Sequence, residues 1–141
     1  MIVKFYDQVE DEKLKFAVIA ARAGGKWVFC KHKARTTFEM PGGHREPGEP
    51  ILDTARRELQ EETGATAFDL QSVCVYSVTD PDNFDGAETY GLLCTARVHA
   101  FGPIDSEMEK IVLTADLPTQ WTYPQIQPKL LAELERRGVI Q

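Results

Sequence analysis

Between Gly43 and Ala65 the chain places a glycine loop, a lone glutamate and the run Arg57-Glu58-Leu59-Gln60-Glu61-Glu62-Thr63-Gly64, and this stretch constrains the fold more than any other. Pro50 suits the first helical position, because its missing N–H would have no partner there and its φ is already helical. Gly64 suits the stop, where a left-handed residue caps the last turn. A helix is therefore expected from about Pro50 to Thr63. Ile51, Leu52, Ala55 and Leu59 recur at helical spacing and form its predicted buried stripe. Glu58, Glu61 and Glu62 stand three and four residues apart and rise along another face, with Glu49 just before the helix.

Carboxylates at this spacing repel, and each ionised neighbour raises the pKa of the others. A divalent cation removes that cost. Oxygen ligands without Cys or His favour magnesium or manganese over zinc, and magnesium completes its shell with waters and substrate phosphate oxygens. The stretch thus predicts a metal site that a phosphorylated substrate finishes.

The segment resembles the Nudix box, whose pattern is G, five residues, E, seven residues, R-E-apolar-x-E-E-x-G-apolar. Gly43, Glu49, Arg57, Glu58, Leu59, Glu61, Glu62 and Gly64 match it, the small Ala65 fills the last apolar place weakly, and the lead-in Met40-Pro41-Gly42-Gly43 is similar to the family's usual entry. Seven fixed residues, at roughly one chance in fifteen each from average residue usage, give a random expectation on the order of one in a million for such a chain. The resemblance implies an α/β/α sandwich and hydrolysis of a nucleoside diphosphate linked to another moiety, with Mg2+ or Mn2+ as cofactor. It maps Glu58, Glu61 and Glu62 onto the metal ligands, one of them serving as base, and Glu49 onto a more peripheral glutamate. A backbone carbonyl at Gly42 or Gly43 is a further candidate ligand. Arg57 is expected to orient Glu49 or Glu61 by a charge-assisted bond. Because some members take their base from a later loop, Glu107 and Glu109 are also candidates, followed by Glu88.

Three functions are compatible with this pattern. One is a nucleoside triphosphate pyrophosphohydrolase, including one acting on oxidised purines such as 8-oxo-dGTP; short length and the absence of an appended domain favour it. The second is an ADP-ribose or nucleotide-sugar pyrophosphatase, which Pro81 supports, lying sixteen residues beyond the box where that subgroup tends to carry proline. The third, a nucleotide-sensing module without catalysis, has no need of the complete acidic set.

The 141 residues are enough for one domain spanning 1–141 with its own core, and 43% hydrophobic with 27% charged residues is an ordinary globular composition. A net charge of −6 argues against a nucleic-acid surface. It also poses a difficulty, since the substrate is itself anionic. Arg22, Lys26, Lys31, Lys33, Arg35 and Arg45 answer it locally, against the single acid Glu39 in that span. Lys26 and Lys31 read as solvated charges; for Arg22, Lys33, Arg35 and Arg45 phosphate contact and solvated charge weigh equally. Residues 1–13 carry several charges and no apolar core of a leader, and the longest apolar run, Phe16 to Ala21, is too short to span a bilayer. No membrane association and a cytoplasmic location are expected. Cys30, Cys74 and Cys94 are odd in number and scattered, so they read as reduced core residues. A monomer or homodimer is anticipated.

The remaining pattern predicts an α/β or α+β sandwich with a mixed sheet. Leu14 to Arg22 and Trp27 to Lys31 form a hairpin about Gly24-Gly25, Thr36 to Met40 is extended, Phe68 to Thr79 and Glu88 to Ala100 are long strands, and Ile111 to Leu113 is a short one. The run Asp80 to Ala87 superficially suggests a calcium loop, but its glycine is one place late and Gly91 stands where the bidentate Glu belongs. It reads first as a long solvent loop and secondarily as one bordering the substrate with Phe84 stacked on a base; for Phe84, Trp121 and Tyr123 alike, stacking on a base and filling core gaps weigh equally. A C-terminal helix opens near Thr122 and Pro124, its regular part beginning near Gln127 because Pro128 is tolerable only in a first turn. Ile126, Leu130, Leu131 and Leu134 make its apolar face.

Overall fold

The computed structural model describes residues 1–82, 84–104 and 108–140, and the side chains of Phe84, Met108, Glu109 and Lys110 fall outside that description. The elements are β1 (Ile2–Tyr6), β2 (Leu14–Ala23), β3 (Lys26–His32), β4 (Phe38–Glu39), β5 (Gly42–His44), α1 (Ile51–Thr63), β6 (Ala65–Thr79), β7 (Glu88–Phe101), β8 (Met108–Thr114) and α2 (Gln127–Arg136). They join in one sheet ordered β1-β6-β7-β2-β3-β4, with β5 bonded to β2 and β8 to β3. β2 and β7 are parallel, with Ala17 beside Leu92 and Ile19 beside Cys94, whereas β6 and β7 are antiparallel, so the sheet is mixed.

β2 shows why both faces are covered. Ala17, Ile19 and Ala21 enter one core with Ala55 and Leu59 of α1, while Phe16, Val18 and Ala20 enter the other with Leu130, Leu131 and Leu134 of α2. Alternate residues of a strand point to opposite faces, so a strand apolar at every position needs a layer on each side. The fold is an α/β/α sandwich. No helix among the described residues is long and apolar enough to cross a membrane. Cys30, Cys74 and Cys94 are all buried and free, in strands.

The structure departs from the sequence pattern in a few places. β1 was not anticipated: Val3 and Phe5 pair with Val78 and Tyr76, but the nearby charges masked so short an edge strand. β5 was expected as loop, yet Gly42 and Gly43 pair with Val18 and Ala17. Pro50 sits one place outside α1 in extended conformation (φ −60°, ψ 139°), as its N-cap. Leu52 is exposed; Thr54 and Thr63 take places on the buried side of α1. Both threonines are satisfied, Thr54 Oγ1 donating to Glu49 at 2.6 Å and Thr63 Oγ1 to the Leu59 carbonyl at 2.5 Å. Gly64 ends the helix at φ 75°, its N–H on the Gln60 carbonyl at 2.9 Å.

Candidate active site

β5 and α1 lie against each other, so that the acids of the helix meet the bare backbone of Gly42 and Gly43. The Gly42 N–H donates to Glu62 Oε1 at 2.8 Å. At Gly43 a β carbon would lie 2.4 to 2.6 Å from the carboxyl atoms of Glu58, so only glycine leaves room for that carboxylate. This close approach, and not a positive φ, is what requires a glycine there.

Arg57 organises the remaining acids. Its Nε and Nη2 grip Glu49 at 2.8 and 3.0 Å, its Nη1 reaches Glu58 at 2.8 Å and Glu61 at 3.3 Å, and Nη2 also donates to the His44 carbonyl at 3.0 Å. The forked grip on Glu49 is geometry that guanidinium supplies and ammonium does not. Together with the Thr54 hydroxyl it holds the Glu49 carboxyl down at about 2. Glu58 and Glu62 behave oppositely. Burial pushes Glu62 up to about 8, with the charges of Glu58 and Glu39 adding to it, and burial raises Glu58 as well, against the pull of Arg57. Two half-buried acids whose charge is costly thus face the glycine backbone.

Among the described residues no three His, Cys, Asp or Glu groups are gathered closely enough to hold a metal ion as they stand. Arg57 occupies both oxygens of Glu49 and one each of Glu58 and Glu61. The donor chemistry nevertheless fits a hard divalent cation: the ligands are all oxygen, and one oxygen each of Glu58 and Glu62 has no protein partner among the described residues.

The other sequence candidates scatter. Arg22 lies toward the far end of β2 from the β5 pairing, donating to the Gly25 carbonyl at 2.9 Å and stacking on Trp27 at 4.4 Å. Lys33 is exposed in the loop between β3 and β4. Arg35 pairs with Glu39 at 3.2 Å and lies over the Tyr123 ring. Arg45 is committed to protein acceptors, the carbonyls of Glu49, Asp11 and Leu14 and the Asp11 carboxylate, and ties the loop before α1 to the segment before β2. Glu88 accepts from Tyr6, Ser77 and Tyr90 at 2.5 to 2.7 Å, which holds it down at about 2. Glu107 and the side chains of Glu109 and Phe84 lie outside the described residues.

Sequence reasoning missed the cavity beside the glycines. About 350 Å³ in volume, it is bordered by Gly42 and Gly43 and walled by Phe16, Tyr76, His44 and Tyr123. The Phe16 and Tyr76 rings are 5.5 Å apart, and His44 meets Phe16 edge-on at 6.2 Å. Its polar groups include Glu39 and Gln127. One signal was available: Gln127 is a polar residue beside Ile126 at the start of the apolar face of α2. Trp121, by contrast, packs edge-on against Phe29 at 5.4 Å in the core. A larger open groove of about 840 Å³ lies outside the loop before α1, lined by Asp11, Glu12, Glu46 and Glu49 against Lys15 and Arg45, and that acidic wall is poorly suited to a polyphosphate.

The family model of the NUDIX domain matches residues 10–134. YtkD of Bacillus subtilis (strain 168), provisionally named an 8-oxo-dGTP diphosphatase, is 38% identical over 76 residues, which are 54% of this chain and 48% of that protein. An ADP-ribose pyrophosphatase of the same organism is 42% identical over 64 residues, 43% of this chain and 35% of the relative. The chain therefore matches half or less of the length of these curated relatives. In structure, a mutant form of the Bacillus subtilis pyrophosphohydrolase BsRppH superposes with a TM-score of 0.79 at 26% identity, covering 99% of this chain and 93% of that one. With the acidic helix, the glycine strand and a domain match over most of its residues in agreement, the chain belongs to the Nudix hydrolase family.

Proposed function

We propose that the protein hydrolyses a phosphoanhydride bond in a nucleoside diphosphate linked to a further group, with Mg2+ or Mn2+ as cofactor. Its substrate on this reading is a nucleoside triphosphate, oxidised purines such as 8-oxo-dGTP included, cleaved to nucleoside monophosphate and pyrophosphate. One observation carries the reading: Glu58 and Glu62, both raised by burial, face a glycine backbone that opens directly into an aromatic-walled cavity. A base held between aromatic rings would leave its phosphates over Gly42 and Gly43, within reach of the acids. The names of YtkD and BsRppH lend support.

Bound among Glu58, Glu61 and Glu62, the divalent ion would offset phosphate charge and lower the pKa of the attacking water. The chain's own contributions follow from the geometry. Arg57 fixes Glu49 and keeps Glu58 and Glu61 at hand. Gly42 holds one oxygen of Glu62, leaving the other to face a bound ion or a proton, and a neighbouring cation would favour the ionised form that burial alone disfavours. Glu58, Glu61, Glu107 and Glu109 are the other base candidates.

An ADP-ribose substrate is the second reading, favoured by Pro81 and by the ADP-ribose pyrophosphatase relative. The test is incubation with Mg2+ and a panel of 8-oxo-dGTP, dGTP, ATP and ADP-ribose, with products separated. Pyrophosphate plus monophosphate is expected from the triphosphates. AMP plus ribose phosphate from ADP-ribose alone would replace the first reading with the second, and no product from any of them would leave a binding module. Glu62→Gln should abolish most turnover while the far-UV spectrum stays unchanged.

A further inference from the structure

The end of the sheet away from Gly43 carries positive charge that the proposed reaction does not use. β5 meets β2 at Ala17, whereas Arg22 stands near the opposite end of β2. Strand register places Trp27 of β3, Arg22 of β2, Arg97 of β7 and Asp69 of β6 in one row across the sheet, and Ala20, Thr95 and Gln71 in the next. Ala20 and Trp27 pack into the core under α2, so both rows lie on that face. A cavity of about 650 Å³ is bordered there by Arg22, Arg97, Thr95 and Gln71, with Ile140 as a wall. Like charges side by side on neighbouring strands repel. Arg22 is held in that conflict, because its guanidinium stacks 4.4 Å from the centre of the Trp27 ring and its Nη2 donates to the Gly25 carbonyl at 2.9 Å. Asp69 offsets Arg97 only in part, since its Oδ2 is shared with His99 Nε2 at 2.8 Å. The side chains of Arg97, Thr95 and Gln71 have no hydrogen bond or ion pair among the described residues. A fixed guanidinium and an uncommitted one thus stand together beside a hydroxyl and an amide.

We infer that Arg22 and Arg97 form a second anion site, which binds the phosphate group of a small ligand apart from the acids of α1. Adjacent strands lie about 4.8 Å apart, so guanidiniums from two of them can engage one tetrahedral anion from two sides. Each presents a fork of N–H donors that matches a pair of phosphate oxygens, which an ammonium does not. The Thr95 hydroxyl and the Gln71 amide add neutral donors for the oxygens that remain. A bound dianion also turns the repulsion between the two arginines into attraction toward a shared partner. The ligand is small, because a chain of net charge −6 repels a long polyanion over most of its surface. Phosphate esters and inorganic phosphate share the required chemistry.

The test is a titration of the metal-free protein with inorganic phosphate, followed by backbone amide chemical shifts, with sodium chloride at matched ionic strength as the control. Saturable shifts at Arg22, Gln71, Thr95 and Arg97 that chloride does not reproduce are expected. Arg97 is exposed, so Arg97→Gln should leave the melting temperature unchanged while weakening binding at least about tenfold, the scale of a charge-assisted hydrogen bond lost. Arg22→Gln should weaken it by at least as much. Ribose 5-phosphate is the second probe. Tighter binding than inorganic phosphate assigns the site to a phosphorylated metabolite and weaker binding assigns it to the free anion, and either supports the inference. Shifts that chloride reproduces, or phosphate binding that survives Arg97→Gln undiminished, overturn it. Triphosphate hydrolysis by a protein that binds no phosphate at these residues would refute the second site and leave the proposed reaction standing. Phosphate binding here by a protein inactive on every nucleotide would do the reverse.

Discussion

A methyl group at Gly43 and one at Gly42 would meet different obstacles. At Gly43 the added carbon falls on the end of a flexible side chain, 2.4 Å from the Glu58 carboxyl carbon, whereas at Gly42 it falls 2.4 Å from the Ala17 carbonyl oxygen and 3.0 Å from the Val18 Cα. Gly43→Ala should therefore fold normally and displace Glu58, lowering kcat on the order of a hundredfold, the usual effect of moving a reacting group by about an ångström. Gly42→Ala should instead push β5 off β2 and cost about 1 to 3 kcal/mol, read as a lower denaturation midpoint. Full activity in Gly43→Ala would remove Glu58 from the reaction. Arg57 allows a sharper substitution still. Lysine there keeps the positive charge but cannot hold both oxygens of Glu49 while also reaching Glu58 and Glu61. Arg57→Lys should lose at least about tenfold in kcat with KM nearly unchanged, because the guanidinium positions acids and does not itself hold substrate. A rise in KM with kcat intact would place Arg57 on the substrate instead.

α1 is the element most readable from sequence, because each of its signals has a local cause. Proline before it, acids at three- and four-residue spacing and a glycine after it act within a turn of where they stand, so Gly64 could be read as a left-handed cap without knowing what surrounds it. What surrounds it makes the demand stronger. The Gly64 carbonyl accepts the Gly102 N–H at 2.6 Å, and a β carbon at Gly64 would lie 2.4 Å from the Gly102 carbonyl oxygen. Gly64→Ala should then destabilise by more than the roughly 1 kcal/mol of a left-handed alanine alone, measured by chemical denaturation; a smaller loss would mean that the 101–103 segment gives way easily. The misreadings share the opposite character. Leu52 fits the apolar period of the helix, but whether a position is covered depends on what packs there, and Thr54 is buried where its hydroxyl can serve Glu49. β1 has too little alternation to announce itself and exists because β6 offers it an edge. The cavity is furthest from local legibility, since Phe16, Gly43, Tyr76 and Gln127 come from four separate elements and only the sheet brings them together. Arg22 and Arg45 were read from local charge excess, which says nothing about the carbonyls and the indole ring that engage them.

Over the whole molecule, charge acts on stability in three regions, with one sign in two of them and the opposite sign in the third. Glu88 joins Tyr6 of β1, Ser77 of β6 and Tyr90 of β7, and Glu133 holds Arg136 and Arg137 at the end of α2, where Arg137 also reaches Asp7 at 3.3 Å. Both carboxyls are held at about 2, below the ordinary 4.5, so the folded state binds fewer protons than the unfolded chain across that interval. Their stabilisation is complete above pH 4.5 and is lost as pH falls toward 2. Glu88→Gln and Glu133→Gln should each flatten the acid limb of a melting-temperature profile, and an unchanged limb would assign acid unfolding to other groups. The acidic face of α1 opposes this. Glu62 and Glu58 are half-buried and raised by burial, so this face costs stability as pH rises and the two groups ionise, a cost that a bound divalent ion would offset on the proposed function. Mg2+ should raise the melting temperature, by mass action amounting to about 2.7 kcal/mol at a hundredfold excess over its dissociation constant. Glu62→Gln keeps an oxygen for the Gly42 N–H and removes the carboxyl whose ionisation burial opposes. It should melt at or above the metal-free parent yet gain far less from Mg2+, whereas a variant that melts lower and still responds fully would show that the acids of α1 serve the fold and not an ion.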